Sequence, residues 1–193
     1  MGLGIHYSGR FNPNASLPKL IAEVEELATA YGWEQLVYER VFPSSRFDDS
    51  YSDKIYGIVV IPPNCDPLFL SFLSNGRMSS PLHLESFGYS DEVIHREYLY
   101  LLSVSTLLAG VDVHVKLVTL LKALTNRYFL DFEVNDEGGY WDTENEEYLH
   151  SVFLHQRQQM ELVTCSKNGS TYFWGESIRF YLNRVMKDLI YKQ

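Results

Sequence analysis

The sequence predicts an α+β fold, in which a mostly antiparallel sheet of about 5–7 strands carries packed helices as a two-layer sandwich. Segments with strand-like and helix-like patterns alternate irregularly, and several strand-like runs follow one another directly. Between two of these runs lies Asn75-Gly76, the strongest short signal of a hairpin. A length of 193 residues favours a single α+β domain over 1–193, with 143–193 as a C-terminal helical pair packed on it.

The first half of the chain changes from a strand pattern to a helix pattern and back. Residues 3–11 alternate apolar and polar side chains, which is typical of a half-buried strand. A helix follows, with Pro18 in its first turn, apolar residues at helical spacing, and Gly32 as its stop. Further strands are predicted at 34–42, at 55–61 (apolar on both faces and therefore central), and at 68–73, with a polar loop over 43–53.

The second half is predicted to complete the hairpin and then to become mainly helical. The return arm, 78–84, contains Pro81, which confines it to an edge of the sheet or shortens it. Alternation of Tyr and Leu with Ser favours a strand over 98–106. The remaining elements are a long helix opened by Gly110, a short strand at 129–134, a break at Gly138-Gly139, and helices at 143–163 and 174–191.

Negative charge is concentrated in one window of the sequence. Residues 131–147 contain no Lys or Arg, and they hold eight carboxylates, which account for almost all of the net charge of −9. A chain that is nearly neutral elsewhere is not expected to bind phosphate backbones, so we predict no nucleic-acid partner. A basic protein is the partner that such a window favours.

The cysteines and the N-terminal sequence predict a cytoplasmic protein. Cys65 and Cys165 fit neither a metal spacing nor a redox CxxC motif. The opening residues lack an uninterrupted apolar run, so neither export nor membrane insertion is expected. The sequence predicts no cofactor, and it leaves the oligomeric state open.

Five residues are candidates for catalysis: His6, Ser8, His114, Asp136 and Glu137. His6 and Ser8 share a strand face but lie about 7 Å apart, too far for a direct nucleophile–base bond. His114 would therefore need Asp136 or Glu137 brought to it by the fold, as in a hydrolase. The alternative is that His114 is a core or boundary histidine with satisfied hydrogen bonds.

The same region contains the candidates for binding, which combine carboxylates with aromatic side chains: Asp131, Glu133, Asp136, Glu137, Tyr140, Trp141 and Asp142. Such a mixture is typical of interfaces, although Trp141 can equally fold back onto the core. An EF-hand is not predicted, because Asp136 stands where the calcium loop needs Gly. We therefore favour a non-catalytic protein-binding function of immunity or regulatory type. A hydrolase and a weak divalent-cation site are the alternatives.

Three short segments carry a resemblance to other proteins: Gly-Ile-His-Tyr-Ser-Gly from residue 4, Phe-Leu-Ser-Asn-Gly-Arg-Met from residue 72, and Asp-Glu-Gly-Gly-Tyr-Trp from residue 136. Together they resemble a set of small bacterial cytosolic proteins that has no assigned activity. The resemblance spans most of the chain. It implies a bacterial, cytosolic origin and identifies no catalytic residue.

Overall fold

The structure is a computed structural model that describes residues 3–41, 54–88, 90 and 92–166. The chain divides into two compact units, Met1–Arg157 and Gln158–Gln193. The predicted loop at 43–53 and the predicted helix at 174–191 lie outside the described residues. Of the second unit, the structure describes residues 158–166, which belong to a helix that begins in the first unit. The prediction of one domain over 1–193 stays a prediction.

The described strands are β1 (Gly4–Phe11), β2 (Glu34–Val41), β3 (Lys54–Ile61), β4 (Leu68–Leu73), β5 (Leu102–Ser105) and β6 (Phe129–Asp136). The described helices are α1 (Leu17–Tyr31), α2 (Pro81–Phe87), α3 (Val93–Tyr98), α4 (Val111–Tyr128), α5 (Tyr140–Thr143) and α6 (Glu146–Ser166). None of the helices in this part of the chain has the length and apolarity needed to cross a membrane.

The α+β class and the antiparallel pairing are confirmed, but the prediction of one sheet with 5–7 strands is wrong. The strands form two three-stranded sheets, in the orders β5-β1-β6 and β2-β3-β4, and every pairing is antiparallel. As predicted, the apolar strand at 55–61 is central in its sheet. After β4 the chain makes single bridges through Arg77 and Met78 and then turns into helix at Pro81, so it adds no further full strand to the β2-β3-β4 sheet.

The prediction of a returning strand at 78–84 is wrong, because most of this segment is helical. The turn itself forms, with Gly76 at φ 79°, and the next two residues make single bridges, Arg77 to Arg10 and Met78 to Phe72. The Ser80 hydroxyl then accepts the backbone N–H of His83 and caps a helix that begins at Pro81. A capping serine followed by proline favours a helix start over an edge strand.

The strand predicted at 98–106 is shorter than expected, because its first part is helical. Tyr98 ends α3, the buried residues Leu99 and Tyr100 follow in a turn, and the strand begins at Leu102. Leu102 and Val104 point into the core while Ser103 and Ser105 are exposed. The alternation that predicted the strand is therefore present only over its last four residues.

A tyrosine joins the two sheets. The phenol of Tyr7 on β1 donates a hydrogen bond to the carbonyl of Phe69 on β4 (2.9 Å) and accepts one from the N–H of the same residue (3.1 Å). Burial raises the pKa of Tyr7 far above its ordinary value, so its proton stays available for this pair of bonds. A single side chain thereby replaces a strand-to-strand contact at this position.

Two helices close the main core against the sheets. Helix α1 buries Leu20, Ile21, Val24 and Ala28, and it ends, as predicted, at Gly32 in the left-handed conformation. Helix α4 buries a longer stripe that includes Leu117, Leu121 and Leu124, together with His114 near its N-terminus. His114 is thus part of the interior and lies at the end of the core nearest to the acidic window.

Candidate functional site

The pairing of β1 with β6 decides which candidate residues reach the solvent. Ile5 pairs with Asp136, His6 with Asn135, and Ser8 with Glu133. Because side chains alternate across a strand, Asp136 shares the core face with Ile5. The side chain of Asp136 is 1% exposed, so it does not reach the solvent-facing surface on which the sequence placed it.

On the core face, three side chains form a buried chain of polar contacts, which we call the buried triad: Thr106, His114 and Asp136. The Thr106 hydroxyl lies 2.8 Å from Nδ1 of His114, and Nε2 of His114 lies 3.0 Å from Oδ1 of Asp136. Nε2 lies within contact distance of the carboxylate but has no hydrogen bond of good direction. All three side chains are inaccessible to solvent.

The carboxylate of Asp136 also binds the backbone that follows it. Its Oδ1 accepts the N–H of Gly138 (2.7 Å), and its Oδ2 accepts the N–H of Trp141 (2.8 Å). Burial by itself raises the pKa of Asp136, but the contact with His114 and the two N–H groups outweigh burial, so the pKa lies below its ordinary value. Asp136 is therefore ionised at neutral pH.

The buried triad is covered by residues that leave no room for a substrate. The ring of Phe153 meets the imidazole of His114 edge-on, with 5.7 Å between ring centroids. A Cβ at Gly138 would lie 2.9 Å from Nε2 of His114 and 2.6 Å from Cδ1 of Leu149. The absence of a side chain at Gly138 thus lets the backbone pack directly over the imidazole.

The opposite face of the same sheet contains a second histidine–carboxylate pair. Nε2 of His6 lies 3.5 Å from Oε1 of Glu137, and the two side chains are 35% and 42% exposed. The other oxygen of Glu137 accepts the N–H of Gly4 (2.7 Å). Ser8 shares this face and lies across from Glu133. The fold therefore brings the predicted histidines and carboxylates together in two pairs, and the sheet separates the pairs.

The remaining carboxylates of the acidic window face the solvent. We call the following exposed residues the acidic surface: Asp131, Glu133, Glu137, Asp142, Glu146 and Glu147. Asp131 has a positive φ of 51° where the β1–β6 register shifts, so the regular alternation behind its expected spacing from Glu133 is interrupted. Glu144 is exposed as well, but it pairs with Lys122 at 2.6 Å, and this contact lowers its pKa.

Tyr140 and Trp141 are half-buried. The Trp141 ring therefore packs partly on the core, as one alternative predicted, and stays partly exposed to solvent, as an interface position requires. The Trp141 ring lies 6.2 Å from the ring of Phe132 on β6, and Nζ of Lys122 lies 5.5 Å from its centre. Sequence reasoning missed both Lys122 and Thr106. Neither residue belongs to a local motif, and only the packing of α4 and the end of β5 brings them to this region.

No group of three or more His, Cys, Asp or Glu side chains in the described part of the chain is arranged to hold a metal ion. Carboxylates that bind Ca²⁺ or Mg²⁺ converge on one point. In the acidic window, by contrast, Asp136 points into the core and Glu133 points to the outer face. The weak cation site therefore gains no support from the geometry.

The lowered pKa of Asp136 predicts a loss of stability in acid. In the unfolded chain an aspartate titrates near pH 4, and in the folded protein the pKa of Asp136 is lower. The stability that its folded-state interactions contribute is therefore fully present above about pH 4, and it is lost as the pH falls through the folded pKa. We expect the free energy of unfolding to fall more steeply below about pH 4 in the wild type than in Asp136→Asn. Urea denaturation across this range measures both slopes, and equal slopes would contradict the assignment.

Comparisons with protein-family models, with curated proteins and with solved structures gave no match for this chain. The resemblance to small bacterial cytosolic proteins therefore stays a prediction.

Proposed function

We propose that this protein has no catalytic function and binds a basic protein through the acidic surface. The observation that carries the proposal is that six carboxylates from 17 consecutive residues are solvent-exposed, while Lys122 neutralises only their neighbour Glu144. Among the ion pairs of the described residues, His6 is the other basic side chain that meets this window from the solvent side. The surface is thus left with a large excess of negative charge.

Such a surface acts mainly on the rate of association. Clustered charge of one sign raises the rate at which an oppositely charged partner arrives, by about 10- to 1,000-fold at low ionic strength. The effect weakens with salt, because the Debye length is about 10 Å at 0.1 M. The half-buried Trp141 and Tyr140 add apolar contact area beside the charge, as interfaces require.

The geometry gives the hydrolase alternative less support. The buried triad resembles a catalytic chain in its residue types, but its members are closed off from any substrate. The exposed pair of His6 and Glu137 lacks a nucleophile in contact, because Ser8 lies two residues further along β1, about 7 Å away. Acid–base catalysis requires contact distances.

The proposal is tested with two variants that lose the same amount of charge at different places. One neutralises part of the acidic surface with Glu133→Gln, Asp142→Asn and Glu147→Gln. The control neutralises three exposed acids elsewhere with Glu26→Gln, Glu34→Gln and Glu97→Gln. The wild type and the two variants are immobilised on separate supports, and each is incubated with the same cytosolic extract at about 50 mM salt. The proteins that high salt then releases are quantified by mass spectrometry.

We expect the wild type and the control to retain the same basic protein, and the surface variant to retain it at least about tenfold less. The reason is that the control keeps the local field of the acidic surface although its net charge has changed equally. Equal retention by the surface variant and the control would overturn the proposal, and so would retention that does not depend on salt.

A further inference from the structure

We propose that the charge of Asp136 holds the 138–143 segment in its folded position, and that loss of this charge releases the segment while the rest of the described fold persists. The proposal goes beyond the proposed function and does not depend on it, because it concerns contacts within the chain. Its consequence for the surface is that Trp141 and Asp142, which belong to the segment, are positioned by a group beneath them.

The carboxylate of Asp136 connects the segment to the core. Two of its hydrogen bonds go to N–H groups of the segment, those of Gly138 and Trp141. Its third contact goes to His114 on α4, which is buried in the core and is itself bound to Thr106. The two ends of the segment are held separately, since Glu137 bonds to Gly4 and Glu144 pairs with Lys122.

Apart from Asp136, partly buried side chains hold the segment: Tyr140 and Trp141 pack against the core, and the Trp141 ring lies near that of Phe132. Helix α5, its main element, has four residues and buries none of them. Both residues that flank the helix have positive φ, 69° at Gly139 and 52° at Glu144. Segments whose side chains are only partly buried belong to the less stable part of a fold, so we expect the contacts of Asp136 to contribute much of its stability.

Few other titratable groups lie around Asp136. Helix α4 contributes His114 and α5 contributes Tyr140, while α6 contributes the uncharged Leu149 and Phe153. The β5 end contributes Thr106, which carries no charge, and β1 contributes His6 on the other face of the sheet, beside Glu137. Histidines carry their proton in acid. Asp136, Glu137 and Glu144, which pairs with Lys122 at the end of the segment, lose charge there, and Glu137 and Glu144 are tested separately.

The experiment is ¹⁹F NMR of the full chain labelled with 5-fluorotryptophan. The chain has three Trp residues; Trp141 reports on the segment, and Trp33, which is 7% exposed, reports on the core. Loss of one resonance in Trp141→Phe and of another in Trp33→Phe assigns them. At neutral pH we expect Asp136→Asn to move the Trp141 resonance to its solvent-exposed position and to leave the Trp33 resonance unchanged. The reason is that the NH₂ group of asparagine must replace one of the two carboxylate oxygens. In one orientation this donor faces the N–H of Trp141, and in the other it faces the N–H of Gly138 and the imidazole of His114, so one hydrogen bond to the segment is lost.

An acid titration of the wild type provides a second measurement that needs no folded variant. We expect the Trp141 resonance to move at a higher pH than the Trp33 resonance, and both Glu137→Gln and Glu144→Gln to show the same titration as the wild type. An unchanged Trp141 resonance in folded Asp136→Asn would overturn the proposal. If that variant does not fold, movement of both resonances at the same pH in the wild type overturns it, and movement of Trp141 first supports it.

Discussion

Substitution of His114 by leucine is expected to lower the free energy of unfolding by about 3 kcal/mol. The variant places an apolar side chain of similar size in a fully buried position, but it leaves the carboxylate of Asp136 enclosed without the imidazole that lies against it. Removing a polar partner from a buried charged group is costly, since the remaining charge is out of water. Urea or guanidinium denaturation at neutral pH measures the change.

The chain offers a matched control in His95. Its Nδ1 lies 2.6 Å from the Ser90 hydroxyl and its Nε2 lies 3.5 Å from Glu92, an arrangement of the same chemical groups as the buried triad. His95 and Glu92 are 32% and 71% exposed, however, and partly exposed pairs contribute at most about 1 kcal/mol. We therefore expect His95→Leu to change stability by less than 1 kcal/mol, roughly the limit for such pairs. Equal losses in the two variants would show that burial of His114 does not set the cost.

Substitution of Gly57 by alanine is expected to have a comparable effect, a loss of about 3 kcal/mol. Gly57 lies in the central strand β3, paired with Tyr38 on β2 and with Ser71 on β4. The Tyr38 phenol donates to the Ser71 hydroxyl at 2.8 Å, so the tyrosine side chain passes across Gly57. A Cβ at this position would collide with the backbone of Ser71 and with the carbonyl oxygen of Leu70, and backbone in a central sheet has little freedom to move.

Gly32→Ala separates this steric effect from the loss of a glycine as such. Gly32 ends α1 at a φ of 69°, and nothing lies within 4 Å of the position where its Cβ would be. Only the backbone conformation opposes alanine there, at a cost of about 1 kcal/mol. Thermal or chemical unfolding of both variants gives the comparison, and a Gly57→Ala protein no less stable than Gly32→Ala would contradict the predicted collision.

The two histidine–carboxylate pairs illustrate how consecutive residues at the end of a strand acquire different roles. Asp136, the last residue of β6, supports the 138–143 segment from inside, while Glu137, the first residue of the turn that follows, belongs to the acidic surface. Strand alternation accounts for the buried side chain of Asp136, and the contacts of Glu137 with Gly4 and His6 hold it outside. Surface charge and internal support are therefore separable by mutation, which the experiments above exploit.

Much of the local structure could be predicted because it depends on residues close in sequence. The helix that ends at Gly32, the central apolar strand at 55–61 and the turn at Asn75-Gly76 each follow from periodicity or from the φ angles that glycine permits. The helix at Pro81 has a local signal in the capping Ser80, but the hairpin pattern that precedes it favours a strand over the same residues.

The sequence by itself determined the α+β class, most element boundaries, and the gathering of negative charge in one window, since composition and periodicity are properties of neighbouring residues. Only the tertiary structure decided that the strands form two sheets, that Asp136 is buried with His114 and Thr106, and that Glu137 meets His6 outside. The physical reason is that these contacts depend on the register between β1 and β6. A shift of one residue in that register would exchange the buried carboxylate for the exposed one.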